Sequence, residues 1–427
     1  MSALDVQASD PGSQARAGVL HTAHGEVRTP AFVPLATKGA VKGLEPRDVA
    51  DLGYDMVLGN AFHLLIDPGP ERVERFGGLH EFMRWDKPII TDSGGFQVFS
   101  MGHGTIADEI KGRAAQGADR AGVILSIEEG GVRFRSYLDG SERFMAPETS
   151  MEVQAALGSD LALVFDECTP FHVSRDYTAR STERTHRWLR RCLDWHAAHG
   201  PTDQLVYGIV QGGVYEDLRR ESTEAIAKSE VDGIAIGGSL GADKAQIYEV
   251  TGWATAVLDE HAYDRPRHLL GIGEVDDLIA GVELGIDTFD CAMPTRIGRH
   301  GMALVPDPER RWRINLTNAR FRDADEPIMD GCPCPCCSAG FTRGYLRYLF
   351  KAKELTGMRL VTLHNLAFLQ RVMDDLRTAI FDGVLPQIAA ALRAGAAPGL
   401  REPWAERLDP VGPPAEPVDH RPGPERS

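Results

Sequence analysis

Disulfide scaffolds, membrane spans and secretory leaders each have sequence features that this chain of 427 residues lacks. It has only seven cysteines, which argues against a disulfide framework. No apolar run reaches about 18 residues, which excludes a membrane-spanning helix. The stretch Met1 to Gly12 is polar and lacks the basic and apolar regions of a secretory signal. We therefore expect a cytoplasmic protein with no membrane partner.

The chain also lacks an overall positive charge, since its formal net charge is −16. Such a balance argues against a protein that coats nucleic acid non-specifically. The stretch from Arg296 to Arg359, however, contains twelve Lys and Arg residues and only seven Asp and Glu residues. This local excess is either an ordinary solvated surface or a confined contact for an anionic partner.

Four of the seven cysteines crowd into Cys332-Pro-Cys-Pro-Cys-Cys337, and His364 follows in a helix-like stretch. Cys332, Cys334, Cys337 and His364 supply three thiolates and one imidazole, a tetrahedral ligand set for Zn2+. Because four side chains fill the coordination sphere, we expect one structural zinc ion per subunit. The alternative is a reactive or disulfide-bonded patch. Cys336 is a spare thiol that could replace Cys337.

Short apolar segments alternate with longer amphipathic stretches, such as the helix that we predict from Asp176 to His199. Eight strand candidates are Ala31–Ala36, Met56–Gly59, Pro88–Thr91, Leu161–Phe165, Leu205–Val210, Gly233–Ile236, His268–Ile272 and Thr288–Met293. Eight strands that alternate with helices predict the α/β class and a (β/α)8 TIM-type barrel.

Breaks in this alternation suggest the domain organisation. We predict a catalytic barrel formed by residues 1–302 and 366–392, with an insertion at about 100–148. A zinc-binding subdomain, 303–365, would be inserted after strand 8. The Pro-, Gly- and Ala-rich tail 393–427 would be disordered.

Two local structures are predicted inside the insertion. The first is a helix at about Thr105–Ala115, and the second is a hairpin through Val132–Ser136 that turns at Asp139-Gly140. A later helix should carry an apolar stripe at helical spacing. Its members are Leu369, Val372, Met373, Leu376 and Ile380.

Many of the predicted strands end in polar residues or glycine. These strand ends are Asn60, Asp92-Ser93-Gly94, Asp166-Glu167, Gln211-Gly212, Gly237-Gly238 and Asp290. Barrel enzymes hold their catalytic groups at the carboxyl ends of the strands. Each residue alone could equally be a helix cap or part of a turn.

Two carboxylates are candidates for catalysis. Asp290, between apolar neighbours, could act as a nucleophile toward a sugar carbon. It could instead be a structural partner of Arg296 or Arg299. Asp92 precedes a Gly-Gly turn that lets a flat ligand approach the backbone, and burial near a second carboxylate would suit it as general acid and base.

Asp166 and Gln211 offer a carboxylate and an amide to a planar heterocycle such as guanine. Two enzyme classes therefore fit the residues. A retaining glycoside hydrolase would complete the reaction with water. A transferase that exchanges the base of a nucleoside would complete it with an incoming base, and the glycine and amide groups favour this second class.

At this level of detail the chain resembles the tRNA-guanine transglycosylase family, bacterial type, from about Thr29 to Phe368. The motifs that carry the resemblance are Asp92-Ser-Gly-Gly-Phe-Gln, Phe165-Asp-Glu-Cys-Thr-Pro, Ile209-Val-Gln-Gly-Gly, Ile236-Gly-Gly, Gly271-Ile-Gly-Glu, Phe289-Asp-Cys-Ala-Met-Pro-Thr-Arg and Leu363-His364-Asn365. The resemblance implies a zinc-bearing barrel, usually a homodimer. It also implies exchange of the wobble guanine of G-U-N anticodons for a 7-deazaguanine base, a step in queuosine biosynthesis.

The resemblance also implies roles for individual residues. Asp290 would attack C1′ of the guanosine and form a covalent ester, while Asp92 would protonate the departing guanine. The substrate-binding residues would be Asp92, Ser93, Gly94, Gly95, Phe96, Asp166, Gln211 and Gly238, with Phe96 stacking on the purine. The anticodon loop of tRNA would be gripped by Gly271, Ile272, Gly273, Glu274, Val275, Asp276, Asp277, Thr295, Arg296, Ile297, Gly298 and Arg299.

The chain departs from the family pattern at Gly237–Asp243, which reads Gly-Gly-Ser-Leu-Gly-Ala-Asp where bacterial members commonly read Gly-Gly-Leu-Ala-Val-Gly-Glu. The incoming base could therefore be 7-aminomethyl-7-deazaguanine or queuine. Two alternative functions remain open at this stage. They are a related transglycosylase that acts on DNA or at another position, and a non-catalytic RNA-binding subunit.

Overall fold

The computed structural model describes residues 3–100 and 124–399. The predicted helix at Thr105–Ala115 and the tail from residue 400 onward lie outside the described residues. The strands are β1 Leu4–Ser9, β2 Arg16–Thr22, β3 Gly25–Thr29, β4 Ala31–Val33, β5 Val57–Asn60, β6 Ile89–Asp92, β7 Ile124–Glu128, β8 Gly131–Arg135, β9 Glu142–Met145, β10 Leu161–Leu163, β11 Leu205–Val210, β12 Gly233–Ile236, β13 Arg267–Leu269, β14 Thr288–Asp290, β15 Met302–Leu304 and β16 Arg313–Asn315.

The helices between them are mostly amphipathic. They are α1 Pro46–Asp51, α2 Ala61–Ile66, α3 Pro70–Arg75, α4 Gly78–Met83, α5 Gly95–Ser100, α6 Pro147–Leu157, α7 Arg175–His199, α8 Glu216–Ala227, α9 Lys244–His261, α10 Val275–Glu283, α11 Met293–Arg299, α12 Pro335–Ser338, α13 Arg343–Ala352, α14 Leu355–Phe381 and α15 Leu385–Arg393. None of these described helices is long and apolar enough to cross a bilayer.

Eight parallel strands form the central barrel, in the order β4-β14-β13-β12-β11-β10-β6-β5. A parallel bridge between Leu35 and Leu58 joins the two ends of this order and closes the barrel. Each of the eight predicted apolar segments overlaps one of these strands, so the predicted (β/α)8 fold is confirmed. Because all eight strands run in one direction, their carboxyl ends form a single rim.

A three-stranded antiparallel meander, β1-β2-β3, precedes the barrel and was not predicted. Leu20 and Val27 of the meander belong to the same apolar cluster as the barrel residues Leu58 and Ile90. The polar contacts of the meander also reach the amino ends of the strands. The buried Arg16 forms an ion pair with Asp287, which directly precedes β14. The meander therefore covers the end of the barrel opposite the rim.

The predicted hairpin of the insertion is confirmed as β8 and β9, which turn through Asp139-Gly140. Strand β7 adds a third antiparallel strand beside β8. The sheet lies over the barrel rim, because the rings of Phe134 and Phe62 lie 5.2 Å apart and α2 directly follows β5. The sheet β7-β8-β9 therefore packs against one side of the rim.

Helix α14 connects the cysteine-rich segment to the barrel. It carries His364 and, further along, the predicted apolar stripe, all of which is buried. Asn365 links three elements, since its Oδ1 accepts from the Leu304 N–H at 2.8 Å and its Nδ2 donates to Pro294 O and Met302 O at 3.0 Å. One continuous helix thus crosses the predicted boundary between residues 365 and 366. The division into domains stays a prediction.

Candidate active site and metal centre

The predicted polar strand ends lie on the carboxyl rim of the barrel. Asp92 ends β6, Asp290 ends β14 and Gln211 directly follows β11. Asp166 and Gly238 come shortly after β10 and β12. The negative charges of Asp290 and Asp166 both raise the pKa of Asp92, which places the three carboxylates in one electrostatic cluster.

Asp92, the last residue of β6, accepts three hydrogen bonds. Its Oδ1 accepts from the backbone N–H groups of Ala61 at 3.0 Å and Gly94 at 3.2 Å, and its Oδ2 accepts from Asn60 Nδ2. Burial outweighs these donors and, with the neighbouring carboxylates, raises the pKa of Asp92 to about 7. A carboxyl group that titrates near neutral pH can both give and take a proton, which general acid–base catalysis requires.

Asp166 and Gln211 form a buried polar pair. Gln211 Nε2 donates to Asp166 Oδ2 at 2.5 Å, and Ser93 Oγ donates to Asp166 Oδ1 at 3.2 Å. Burial raises the pKa of Asp166 to about 6, although these two hydrogen bonds oppose the shift. Gln211 Oε1 is buried and has no hydrogen-bond partner among the described residues. A ligand with a hydrogen-bond donor would relieve the cost of this unpaired acceptor.

Two glycines keep this pair accessible. Gly238 has a φ of 75°, and a Cβ at this position would collide with Gln211 Oε1. A Cβ on Gly95 would lie 2.8 Å from the Asp166 carbonyl oxygen. Any larger residue at either position would push the amide or the carboxylate out of place. Phe96, next to Gly95, exposes 41% of its surface and is free to contact a ligand.

Sequence reasoning missed Arg219 on α8. Its guanidinium is fully buried and donates to the carbonyl groups of Val210, Gly213, Gly237 and Ser239. Burial lowers its pKa to about 9. It therefore ties together the loops that carry Gln211 and Gly238. Nothing in the sequence separates it from its half-buried neighbour Arg220, because its role depends on the tertiary fold.

Asp290 is buried on the rim and is held by two donors. Its Oδ1 accepts from the Gly271 N–H at 3.0 Å and lies 3.1 Å from His268 Nε2, a contact that sequence reasoning also missed. The ion pairs of the described residues do not join Asp290 to Arg296 or Arg299. The structural alternative, in which this carboxylate neutralises one of the two arginines, therefore does not match the fold.

The segment Gly271–Asp277 joins the rim to the start of α10. Its acidic side chains contact groups of the protein itself: Glu274 accepts from Arg311 and Arg313, and Asp276 accepts from Trp312 Nε1 at 2.9 Å. The first part of the segment, Gly271-Ile-Gly273, has no polar side chains, so any hydrogen bond that it offers to a ligand comes from its backbone.

Arg296 and Arg299 lie on α11, directly beyond Asp290. Arg296 is exposed and Arg299 is half-buried, and neither belongs to an ion pair within residues 3–100 and 124–399. Partial burial and the charge of Arg296 lower the pKa of Arg299. Gly298 lets α11 lie against α14, since a Cβ there would be 3.0 Å from Thr362 Cα. The helix therefore presents two unpaired cations beside the carboxylate rim.

The predicted zinc ligands converge at one buried point. The Sγ atoms of Cys332, Cys334 and Cys337 lie 3.8, 3.4 and 3.4 Å from His364 Nδ1. A tetrahedral ion with Zn–S of about 2.3 Å and Zn–N of about 2.1 Å separates such atoms by about 3.6 Å. The four side chains therefore fit zinc, and Cys336, although buried, stands outside the group.

His364 is also oriented by a contact on its far side. Its Nε2 donates to the Leu304 carbonyl oxygen at 2.8 Å, which leaves Nδ1 free to bind the metal. The zinc would thus join the α12 turn to α14, and the hydrogen bond of His364 would connect both to β15. Because all four protein ligands fill the coordination sphere, the ion would be structural.

Comparisons with known proteins agree with this geometry. Residues 10–397 match the sequence profile of a family described as "Queuine tRNA-ribosyltransferase". The chain is similar to the queuine tRNA-ribosyltransferase of Roseiflexus sp. (strain RS-1), with 49% identity over 397 residues that cover 91% of this chain and 98% of the relative. It is 44% identical over 379 residues to that of Pelotomaculum thermopropionicum, covering 88% and 94% of the two chains.

We expect Cys334→Ala to lose bound zinc and to destabilise the protein, because metal binding and local folding are linked. Zinc content measured by atomic absorption and thermal unfolding would check both effects. Cys336→Ala is the matched control and should keep one zinc per chain. A full complement of zinc in Cys334→Ala would mean that Cys336 serves as a substitute ligand.

Proposed function

This chain belongs to the queuine tRNA-ribosyltransferase family, and we propose on that premise that it is a tRNA-guanine(34) transglycosylase. This pentosyltransferase would exchange the wobble guanine of G-U-N anticodons for a 7-deazaguanine base in queuosine biosynthesis. The observation that carries the proposal is the rim on which Asp92 and Asp290 face a buried pair of Asp166 and Gln211. Such a rim combines a nucleophile, a proton donor and a site for a purine.

In the first half-reaction, a carboxylate oxygen of Asp290 forms a bond to C1′ of guanosine 34. The bond from C1′ to the base breaks, and its electron pair leaves with guanine, which takes a proton from Asp92. In the second half-reaction the incoming base gives a proton to Asp92 and attacks C1′. The ester bond then breaks and Asp290 regains its negative charge. The raised pKa of Asp92 supports its two opposite proton transfers.

Asp166 and Gln211 would recognise the purine. Guanine presents N–H donors on one edge and a carbonyl oxygen beside them, which suit a carboxylate and an amide. The two side chains now bond to each other, so a base would replace that bond while it also offers a partner to Gln211 Oε1. Ser93, Gly94, Gly95 and the Gly238 backbone would complete the pocket under the exposed ring of Phe96.

The anticodon loop would bind along the segment Gly271–Asp277 and the run Thr295–Arg299. The two unpaired guanidinium groups of Arg296 and Arg299 support this role, because arginine stacks on splayed bases and binds phosphates. A confined cationic patch on a chain of net charge −16 implies affinity that falls with rising salt concentration.

The incoming base is proposed at the level of its class, a 7-deazaguanine. Asp243 is the carboxylate of the divergent segment Gly237–Asp243. It caps α9 by accepting from the Gln246 N–H at 2.9 Å, so it is already engaged. Competition between 7-aminomethyl-7-deazaguanine and queuine for release of labelled guanine would identify the base. A non-catalytic subunit is less consistent with the chain, since both catalytic carboxylates are present on the rim.

We also propose that the protein is a homodimer, as the family resemblance implies. Support comes from a stack of aromatic rings that begins before α13 and continues along it. Phe341, Tyr345 and Tyr348 lie 5.7 and 6.5 Å apart between successive ring centroids, and Tyr348 exposes 62% of its surface. Exposed, ordered aromatic rings of this kind are typical of protein interfaces.

The function is tested by incorporation of radiolabelled guanine into tRNA. We expect incorporation into tRNAs with a G-U-N anticodon and none into tRNAs without it. Asp290→Ala should abolish both the exchange and a denaturation-stable protein–tRNA adduct, while non-covalent tRNA binding changes little. The reason is that the carboxylate forms the ester but does not contribute to non-covalent binding of the anticodon loop.

Asp203→Ala is the control for this experiment, because Asp203 is exposed and precedes β11, at the opposite end of the barrel. Exchange that survives in Asp290→Ala would show that another side chain is the nucleophile. Labelling of DNA or of tRNAs without G-U-N would favour the related transglycosylase activities.

The rate of adduct formation should fall as pH rises through about 7, since Asp92 must be protonated to release guanine and its pKa is raised to about 7. The apparent value belongs to the cluster, because Asp166 titrates nearby. Single-turnover kinetics on wild type and Asp92→Asn would check this, with the variant slow at every pH. A rate that rises over the same range would mean that Asp92 acts in its ionised form.

Tyr348→Lys should convert the dimer to a monomer, because a charge would replace an exposed aromatic ring of the proposed interface. Sedimentation equilibrium would measure the change. Phe76→Lys is a matched control, since Phe76 is equally exposed on a different surface, beside Phe82. A wild-type protein that sediments as a monomer would refute the proposed assembly.

A further inference from the structure

The contact between His268 and Asp290 follows from the register of two barrel strands. His268 on β13 pairs with Thr288 on β14. Alternate residues of a strand point to the same face, so Thr288 and Asp290 share one face and Phe289 points to the other. Phe289 packs toward Gly281 on α10, which places His268, Thr288 and Asp290 on the inner face of the barrel.

The two oxygens of Asp290 have different surroundings. Oδ1 lies 3.1 Å from His268 Nε2 and accepts from the Gly271 N–H at 3.0 Å. Within the described part of the chain, the hydrogen bonds of this carboxylate all fall on Oδ1. Oδ2 is therefore the oxygen left available for a substrate.

Thr288 determines which ring nitrogen of His268 carries the hydrogen. Its hydroxyl lies 2.8 Å from His268 Nδ1, on the side of the ring away from Asp290. A hydroxyl can donate to Nδ1, whereas a carboxylate can only accept, so Nε2 carries the hydrogen that faces Asp290. The fully buried ring is thus held as a donor to Oδ1.

We infer that His268 is a positioning residue that directs the attack of Asp290 through Oδ2, with Thr288 holding its tautomer. This inference rests on the proposed function. The C1′–Oδ2 bond forms while Oδ1 becomes the ester carbonyl oxygen and keeps its two donors. When the ester breaks, its electron pair returns to the carboxylate, and negative charge grows on Oδ1.

A donor bonds more strongly to a carboxylate than to an ester carbonyl. His268 therefore stabilises the products of ester breakdown more than the ester itself. Its loss should slow breakdown more than formation, so the adduct should accumulate although turnover falls. General damage to the fold would reduce both adduct and turnover together, which makes the two effects separable.

The experiment compares His268→Phe, His268→Gln and His268→Asn in the full-length protein. A Gln amide nitrogen stands as many bonds from Cα as Nε2 does, whereas an Asn nitrogen stands where Nδ1 does. We expect Phe and Asn to lower kcat by about 10- to 100-fold with little change in KM for tRNA, the size expected for one lost hydrogen bond to a charged group. Gln should recover most of the loss.

The decisive measurement is the fraction of enzyme in the covalent adduct at steady state, determined by denaturing electrophoresis. It should rise in His268→Phe and His268→Asn and return toward wild type in His268→Gln. Thr288→Val should give an intermediate effect. His80→Phe, a half-buried histidine at the other end of the barrel beside Asp160, is the control and should leave the fraction unchanged.

The outcomes separate this inference from the function on which it rests. Wild-type protein that forms no adduct and exchanges no guanine would overturn the proposed function. Wild-type exchange together with wild-type kcat and adduct fraction in His268→Phe would overturn the positioning role alone. An equal loss in Gln, Asn and Phe with normal thermal unfolding would also overturn it, because the Nε2 donor would then be irrelevant.

Discussion

The closed parallel barrel is the constraint on which the rest of the structure depends. Closure through Leu35 and Leu58 forces the carboxyl ends of eight strands into one ring, whatever side chains they carry. Asp92, Asp166 and Asp290 therefore lie together on a partly desolvated rim. There the negative charges of Asp166 and Asp290 raise the pKa of Asp92. Burial on this rim raises the pKa of Asp92 to about 7 and the pKa of Asp166 to about 6.

The sequence predicts the barrel and the zinc ligands because both depend on local spacing. Apolar runs such as Leu205–Val210 coincide with strands, and the spacing of Cys332, Cys334 and Cys337 already implies a tetrahedral site. The meander was missed although the apolar residues of β1 (Leu4, Val6 and Ala8) alternate with polar ones, which is a strand signal. Arg219 and His268 were missed because their partners come from other elements of the fold, and no local pattern marks them.

Support for the rim comes largely from residues that could not take part in the chemistry. Arg219 holds the loops after β11 and β12, and Asn365 holds α11 to α14 through the Pro294 carbonyl. The zinc ligand His364 precedes Asn365 on the same helix. A zinc ion held by His364 would therefore also support the helix that carries Arg296 and Arg299, because both contacts pass through α14.

The meander covers the amino end of the barrel, opposite the rim. Leu20 and Val27 continue the packing of Leu58 and Ile90, so apolar side chains of the described residues cover the amino end of the barrel. On the proposed function, an expelled purine would leave from the rim, on the same side from which its replacement arrives. Under the proposed function, the ribose would stay on Asp290 after one base leaves and before the next arrives, so we expect ping-pong kinetics with respect to the bases.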